Sequence, residues 1–180
     1  QCVEMSPEIK LRVDEVRARR DWSGEESDAR IGEVVDEAVD LARAMLKSTG
    51  EDSRIELAGR TTSDLLRALG VVHHDDRLNN AGKLLFVQDS RVRIDYARRT
   101  SPGTRATDRL EAAGPLLQAY VEIKNRLDQS NAECEIQLPS GVRARIRLIP
   151  DRVVREAVVN AMIHRDYRDP EPIYIEFNGV

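Results

Sequence analysis

Apolar residues at helical spacing mark the first strong element of the chain. Ile31, Val34, Val35, Ala38, Val39, Ala42, Met45 and Leu46 recur at intervals that predict one amphipathic helix from about Ile31 through Lys47. Upstream, Ser6-Pro7-Glu8-Ile9 has the order of a helix start, with a capping hydroxyl, a first-turn proline and an acid at the positive end of the dipole. A helix to about Arg20 is therefore predicted, broken by Trp22-Ser23-Gly24. The run from Ser48 to Arg60 is polar, contains Gly50 and reads as a mobile surface loop. Thr62 or Ser63 then caps a short helix ending at Gly70. Val71-Val72 leads into the polar turn His73-His74-Asp75-Asp76, and Asn79-Asn80 caps a further short helix, Ala81 to Phe86. This order is compatible with a small helical or winged-helix-like element.

Beyond Phe86 the period changes. Val92 to Ala97 alternates and predicts a strand, and Ser101-Pro102-Gly103-Thr104 predicts a turn or loop. Gly114-Pro115 opens a helix whose stripe is Leu116, Leu117, Tyr120, Val121, Ile123, Lys124 and Leu127. Two alternating runs, Glu133 to Leu138 and Val142 to Leu148, flank Pro139-Ser140-Gly141 and predict a β-hairpin. Pro150 opens a helix to about His164, which Pro170 and Pro172 prevent from continuing, and Ile173 to Phe177 forms a last strand before Asn178-Gly179. The expectation is an α+β chain, helical to about residue 70 and mixed after it, without internal repeats.

Composition adds limits. Only 4% of residues are aromatic, so Val, Leu, Ile and Ala must build the core. The net charge of −4 gives the whole chain no electrostatic footprint for nucleic acid. Locally, Arg91, Arg93, Arg98, Arg99, Arg105 and Arg109 form a basic stretch interrupted by Asp95 and Asp108, which either contacts phosphates or is simply solvated. Arg accounts for 24 of the 28 basic residues, which suits phosphate or carboxylate forks and equally reflects a GC-rich coding sequence. Arg143, Arg145 and Arg147 share one face of a predicted strand. Cys2 and Cys134 have neither metal-ligand spacing nor a disulfide framework, as expected for a reducing cytoplasm, and Cys134 reads as a packed side chain. The His73-Asp76 run reads as a solvated turn, because adjacent side chains diverge. No apolar run approaches the roughly 20 residues of a membrane span. Gln at position 1 and the lack of a start signal predict a segment cut from a longer chain.

The run Arg155-Glu156-Ala157-Val158-Val159-Asn160-Ala161-Met162-Ile163-His164-Arg165-Asp166-Tyr167 carries the candidate chemistry. Glu156, Asn160 and His164 fall four apart and share a stripe, while Val154, Val158, Ala161 and Met162 can face a core. An amide oxygen is a hard, neutral ligand suited to Mg²⁺, whose remaining ligands are typically water and phosphate oxygens. A carboxylate one turn earlier can orient or deprotonate water for attack on a γ-phosphate. His164 and Asp166 are expected to fix the helix end by hydrogen bonds.

This run resembles the N-box helix of GHKL ATPases, in the RecG-C-terminal-like form found in bacterial transcriptional regulators with an AlbA-type, Schlafen-like N-terminal domain. Leu65-Leu66-Arg67-Ala68-Leu69-Gly70-Val71 and Leu78-Asn79-Asn80-Ala81-Gly82-Lys83-Leu84-Leu85-Phe86 resemble that family's leucine-rich run and its "TNAG-LLF" motif. The likeness spans roughly residues 60–180, and residues 1–59 resemble the helical connector that follows the AlbA-type domain. It implies the N-terminal part of an ATP-binding α/β sandwich, with Asn160 holding Mg²⁺ through the nucleotide and Glu156 as candidate general base. Family members continue into an Asn-Pro-Gly-like turn and glycine-containing boxes that close over the nucleotide. ATP and Mg²⁺ binding is accordingly expected of a longer protein and not of this segment alone. DNA is an expected partner of that longer protein, in a cytoplasmic setting without a membrane. A homodimer follows if the apolar face of the Ile31–Lys47 helix is covered by a second chain and not by residues 7–20. The alternative is a non-enzymatic DNA-binding or protein-interaction module using the Arg91–Arg109 stretch.

Overall fold

A computed structural model describes residues 21–137 and 139–178, and the helix expected before Arg20 lies outside them. After a 3₁₀ turn at Trp22–Gly24, strand β1 (Glu26–Arg30) pairs antiparallel with β2 (Arg77–Asn79). Four helices belong with this ribbon: α1 (Asp36–Ser48), α2 (Asp52–Ala58), α3 (Thr62–Ala68) and α4 (Asn80–Phe86). The second half holds β3 (Arg93–Arg99), β4 (Asp108–Ala113), α5 (Leu116–Ser130), the hairpin β5 (Glu133–Gln137) and β6 (Arg143–Arg147), α6 (Asp151–Ile163) and β7 (Ile173–Asn178). The fold class is α+β, as the hydrophobic pattern predicts.

Three strands form a mixed sheet in the order β4-β3-β7, with β4 antiparallel and β7 parallel to β3. Ile94 and Tyr96 of β3, Ala112 of β4, and Ile173 and Phe177 of β7 point to one face. There they meet Ala119, Ile123 and Leu127 of α5 and Val154, Val158 and Met162 of α6. This is a half-covered sheet of the kind antiparallel and mixed sheets adopt, with the opposite face polar. Tyr96 is buried with its hydroxyl 2.7 Å from Ser130 Oγ, so its polar tip is satisfied inside the core. A second cluster joins Ala38, Val39 and Ala42 of α1 to Leu65 and Leu66 of α3 and Phe86 of α4. Residues on both sides of position 60 thus share one core.

Three local expectations need correction. Residues 52–58 are helical, not loop: Arg43 donates to the carbonyls of Ala58 and Arg60, and Ala58 is buried, so tertiary contacts hold a helix whose sequence is mostly polar. Helix α1 begins at Asp36 instead of Ile31. Ile31–Glu33 is a 3₁₀ turn, and the Val35 amide bonds the Phe86 carbonyl instead of the Ile31 carbonyl that a continuous helix would give it. The buried residues of its apolar face pack against α3 and α4. Ala161, expected in the core, is exposed. No described helix is long and apolar enough to cross a membrane.

Candidate functional site

Helix α6 starts behind Pro150, whose fixed φ suits a helix entrance, with Asp151 in its first turn near the positive dipole end. Val154, Val158 and Met162 hold it on the sheet. That docking turns Glu156, Asn160 and His164 outward, and all three are exposed. The stripe predicted from the spacing therefore exists. Among the described residues, neither the Glu156 carboxylate nor the Asn160 amide makes a hydrogen bond or ion pair, so both are available to a ligand, and both are equally compatible with plain solvation.

Beside this stripe lies an apolar groove of about 340 Å³ between α6 and the edge strand β7. Val153, Ala157 and Ala161 form one wall, and Tyr174, Ile175 and Phe177 the other. Glu156 and Asn160 do not line it, but the residue following each of them does. Two alanines one turn apart keep the helix wall low, which admits a flat group against the helix. Its volume is at the lower end of the roughly 300–1,000 Å³ usual for small-molecule sites.

The segment after α6 is strongly tied. Tyr167 is buried, and its hydroxyl donates to the Met162 carbonyl at 2.9 Å. Burial pushes its pKa up to about 12, against the opposing pull of Arg165, so the phenol remains a donor at neutral pH. Arg165 donates to the carbonyls of Asp169, at 2.9 Å, and Glu171. The Arg168 guanidinium bonds Asp166 at 2.8 and 2.7 Å and holds that exposed carboxyl down at about 2. Asp166 thus fixes the turn after the helix, in line with its expected structural part. The His164 amide closes the last helical turn on the Asn160 carbonyl at 3.0 Å.

The six arginines of residues 91–109 are not gathered on one surface. Arg91 is bonded bidentately to Asp89, its Nε donating to Oδ1 at 3.0 Å and its Nη2 to Oδ2 at 2.5 Å, and lies 5.2 Å from the Trp22 ring centroid. Arg93 is exposed within 3.9 Å of both Asp95 and Glu111. By strand alternation Arg98 belongs to the opposite face of β3 from Arg93 and Arg99. Arg99 bonds Glu176 at 2.9 Å and the Thr104 carbonyl. Arg105 and Arg109 are exposed, and Arg109 borders a cavity shared with Asp95, Glu111 and Glu176. This face is mixed in charge. In the first half, the His73 ring sits 3.2 Å from the Gly24 carbonyl. Cys134 is a half-buried free thiol, and Arg147 bonds Asp128 and Asp151, linking the hairpin to α5 and α6.

The Asn79-Asn80-Ala81-Gly82 run proves to be a structural joint, which its capping signal only partly reveals. Asn79 accepts from the Gly82 amide at 2.7 Å and donates to Gly70 at 3.1 Å, while Asn80 donates to the Trp22 carbonyl at 2.9 Å. A Cβ at Gly82 would lie 2.9 Å from the Val71 carbonyl oxygen, so glycine lets α4 approach that backbone.

No family model matches the sequence, and no curated protein matches it. Among solved structures, the chain is similar to the crystal structure of the DIP2311 protein from Corynebacterium diphtheriae, at 25% identity and a TM-score of 0.79. The match covers 99% of this chain and 35% of that one, so the α+β arrangement described above corresponds to about a third of a longer chain.

Proposed function

We propose that α6 carries the metal and water-activating residues of an ATP site belonging to a bacterial, cytoplasmic transcriptional regulator of the GHKL, RecG-C-terminal-like kind. Asn160 is the Mg²⁺ ligand acting with the nucleotide phosphates, and Glu156 the general base if ATP is hydrolysed. The observation that carries this reading is the adjacency of two unlike surfaces on one helix. An unpaired carboxylate and amide, one turn apart, stand beside an apolar groove whose helix wall is two alanines. A purine base needs the second surface, and a Mg²⁺-triphosphate the first. In this reading ATP shifts the balance between conformations of the whole regulator, with DNA contacted mainly by other parts of it. The separation of Arg91, Arg93, Arg98 and Arg99 onto different surfaces gives the alternative, a DNA-binding module built on this stretch, no comparable support.

The test is calorimetric titration of the full-length protein with ATP, with and without Mg²⁺. Asn160→Ala is expected to abolish most of the Mg²⁺-dependent gain in affinity, about tenfold or more, since even losing a group that supports a metal ligand costs about 10–100-fold in metal affinity. Equal Mg²⁺-dependent binding by the variant and the parent protein removes Asn160 from the site.

A further inference from the structure

We propose that Tyr167 is a positioning residue for Asn160, holding the last turn of α6 in the one geometry that presents the amide to a cation. The inference rests on the nucleotide reading of α6 and adds the device that makes it work. Asn160 lies in the final turn of a helix that ends at Ile163, and final turns fray because their carbonyls have no partner within the helix. No basic side chain in that turn offsets the dipole. The Asn160 side chain is exposed and bonded to no described neighbour, so the backbone beneath it sets its direction.

Tyr167 supplies that missing constraint from the inside. Its ring is buried in the same cluster as Met162 and Val158, and its hydroxyl takes the Met162 carbonyl, one of the unpaired acceptors of that turn. Beside it, the largely buried Arg165 side chain holds the carbonyls of Asp169 and Glu171, closing the loop that returns Tyr167 beneath the helix. The reach from Tyr167 back to Met162 spans the turn in which the His164 amide bonds the Asn160 carbonyl. A tyrosine serves here where phenylalanine would fill the same space, because only the hydroxyl caps the carbonyl. The turn following the helix is therefore part of the site, although none of its side chains touches the ligand.

A double-mutant cycle in the full-length protein tests this, reading Mg²⁺-dependent ATP affinity for Tyr167→Phe, Asn160→Ala and the pair. Tyr167→Phe keeps the ring and is expected to weaken Mg²⁺-ATP binding about three- to tenfold, to leave Mg²⁺-free binding unchanged, and to have no further effect once Asn160 is alanine. Amide exchange at His164 should accelerate by a similar factor. An equal loss in both backgrounds, or no loss in either, overturns the positioning role while leaving Asn160 as ligand. If Asn160→Ala itself changes nothing, the nucleotide reading fails and the positioning role fails with it. Arg165→Gln, which removes the bonds to the Asp169 and Glu171 carbonyls that seat Tyr167, replaces Tyr167→Phe should that variant not fold. The same two-background comparison then decides.

Discussion

Asp166 shows how a sequence motif can be explained by local electrostatics before any ligand is invoked. Its side chain is open to solvent, yet the hydrogen bonds from the Arg168 guanidinium and amide, with the charges of Arg168 and Arg165, hold its carboxyl at about 2 instead of the usual 3.8. Because the folded value is depressed, the stabilisation from this pair is complete above about 3.8 and is lost as pH falls toward about 2. Replacing Arg168 with alanine is expected to return the Asp166 carboxyl toward its ordinary value, read directly from its carboxyl carbon shift in a nuclear magnetic resonance titration. A value staying near 2 would mean that Arg165 or the backbone dominates. Of the candidate site, the Glu156-Asn160-His164 stripe was legible from four-residue spacing alone. The groove beside it was not, since Ala161 reads as a core residue and becomes a wall only because β7 lies at the edge of its sheet.

Elements whose own periodicity matched their packing were readable. Helix α5, the β5-β6 hairpin and α6 fall within a residue or two of their expected limits. Strands β1, β2 and β4 are not legible in the sequence because each carries little hydrophobic alternation: β1 is mostly polar, β2 is only three residues long, and half of β4 is charged. β1 has only Ser27 and Ala29 buried, and Ser27 spends its hydroxyl on the Leu78 carbonyl at 2.8 Å. β4 buries Ala112 alone, with Leu110 half-covered, so its alternation carries little hydrophobic contrast. Helix α4 illustrates the reverse case, in which propensity opposes the structure. Gly82 lies within a helix where alanine would normally gain about 1 kcal/mol. The added Cβ would sit 2.9 Å from the Val71 oxygen and 3.0 Å from its Cβ. Gly82→Ala is accordingly expected to destabilise by about 1–3 kcal/mol, measured by urea unfolding. A stabilised variant would show that α4 can move away from Val71 at little cost.

At the scale of the whole molecule, the Asp89 carboxylate holds the segment leading into β3 against α4 and, through Lys83, β1. Its side chain is only 5% exposed, between Arg91 and the Lys83 ammonium at 3.8 Å, and Lys83 also reaches Asp28 of β1 at 2.6 Å. Burial pushes the Asp89 pKa up, but bonds from Arg91 and the charges of Arg91 and Lys83 outweigh it and leave it lowered. With Arg91→Ala the burial effect prevails. The expected loss is about 3 kcal/mol near neutral pH, the lower end of what stripping a buried pair of one partner costs because Arg91 is partly exposed. That loss should shrink in acid, where Asp89 takes up a proton, and a pH-independent loss in thermal unfolding would instead assign the effect to the lost stacking on Trp22. The sheet itself has a kinetic consequence. Ile94 of β3 lies beside Ile173 of β7 with about 80 residues between them, a long loop to close before the parallel ladder gains anything. β3 and β4 are joined by a short connection, whereas β7 must reach back across α5, the hairpin and α6 to pair. The groove beside Asn160 thus exists only while that distant pairing holds, and is lost when β7 peels away.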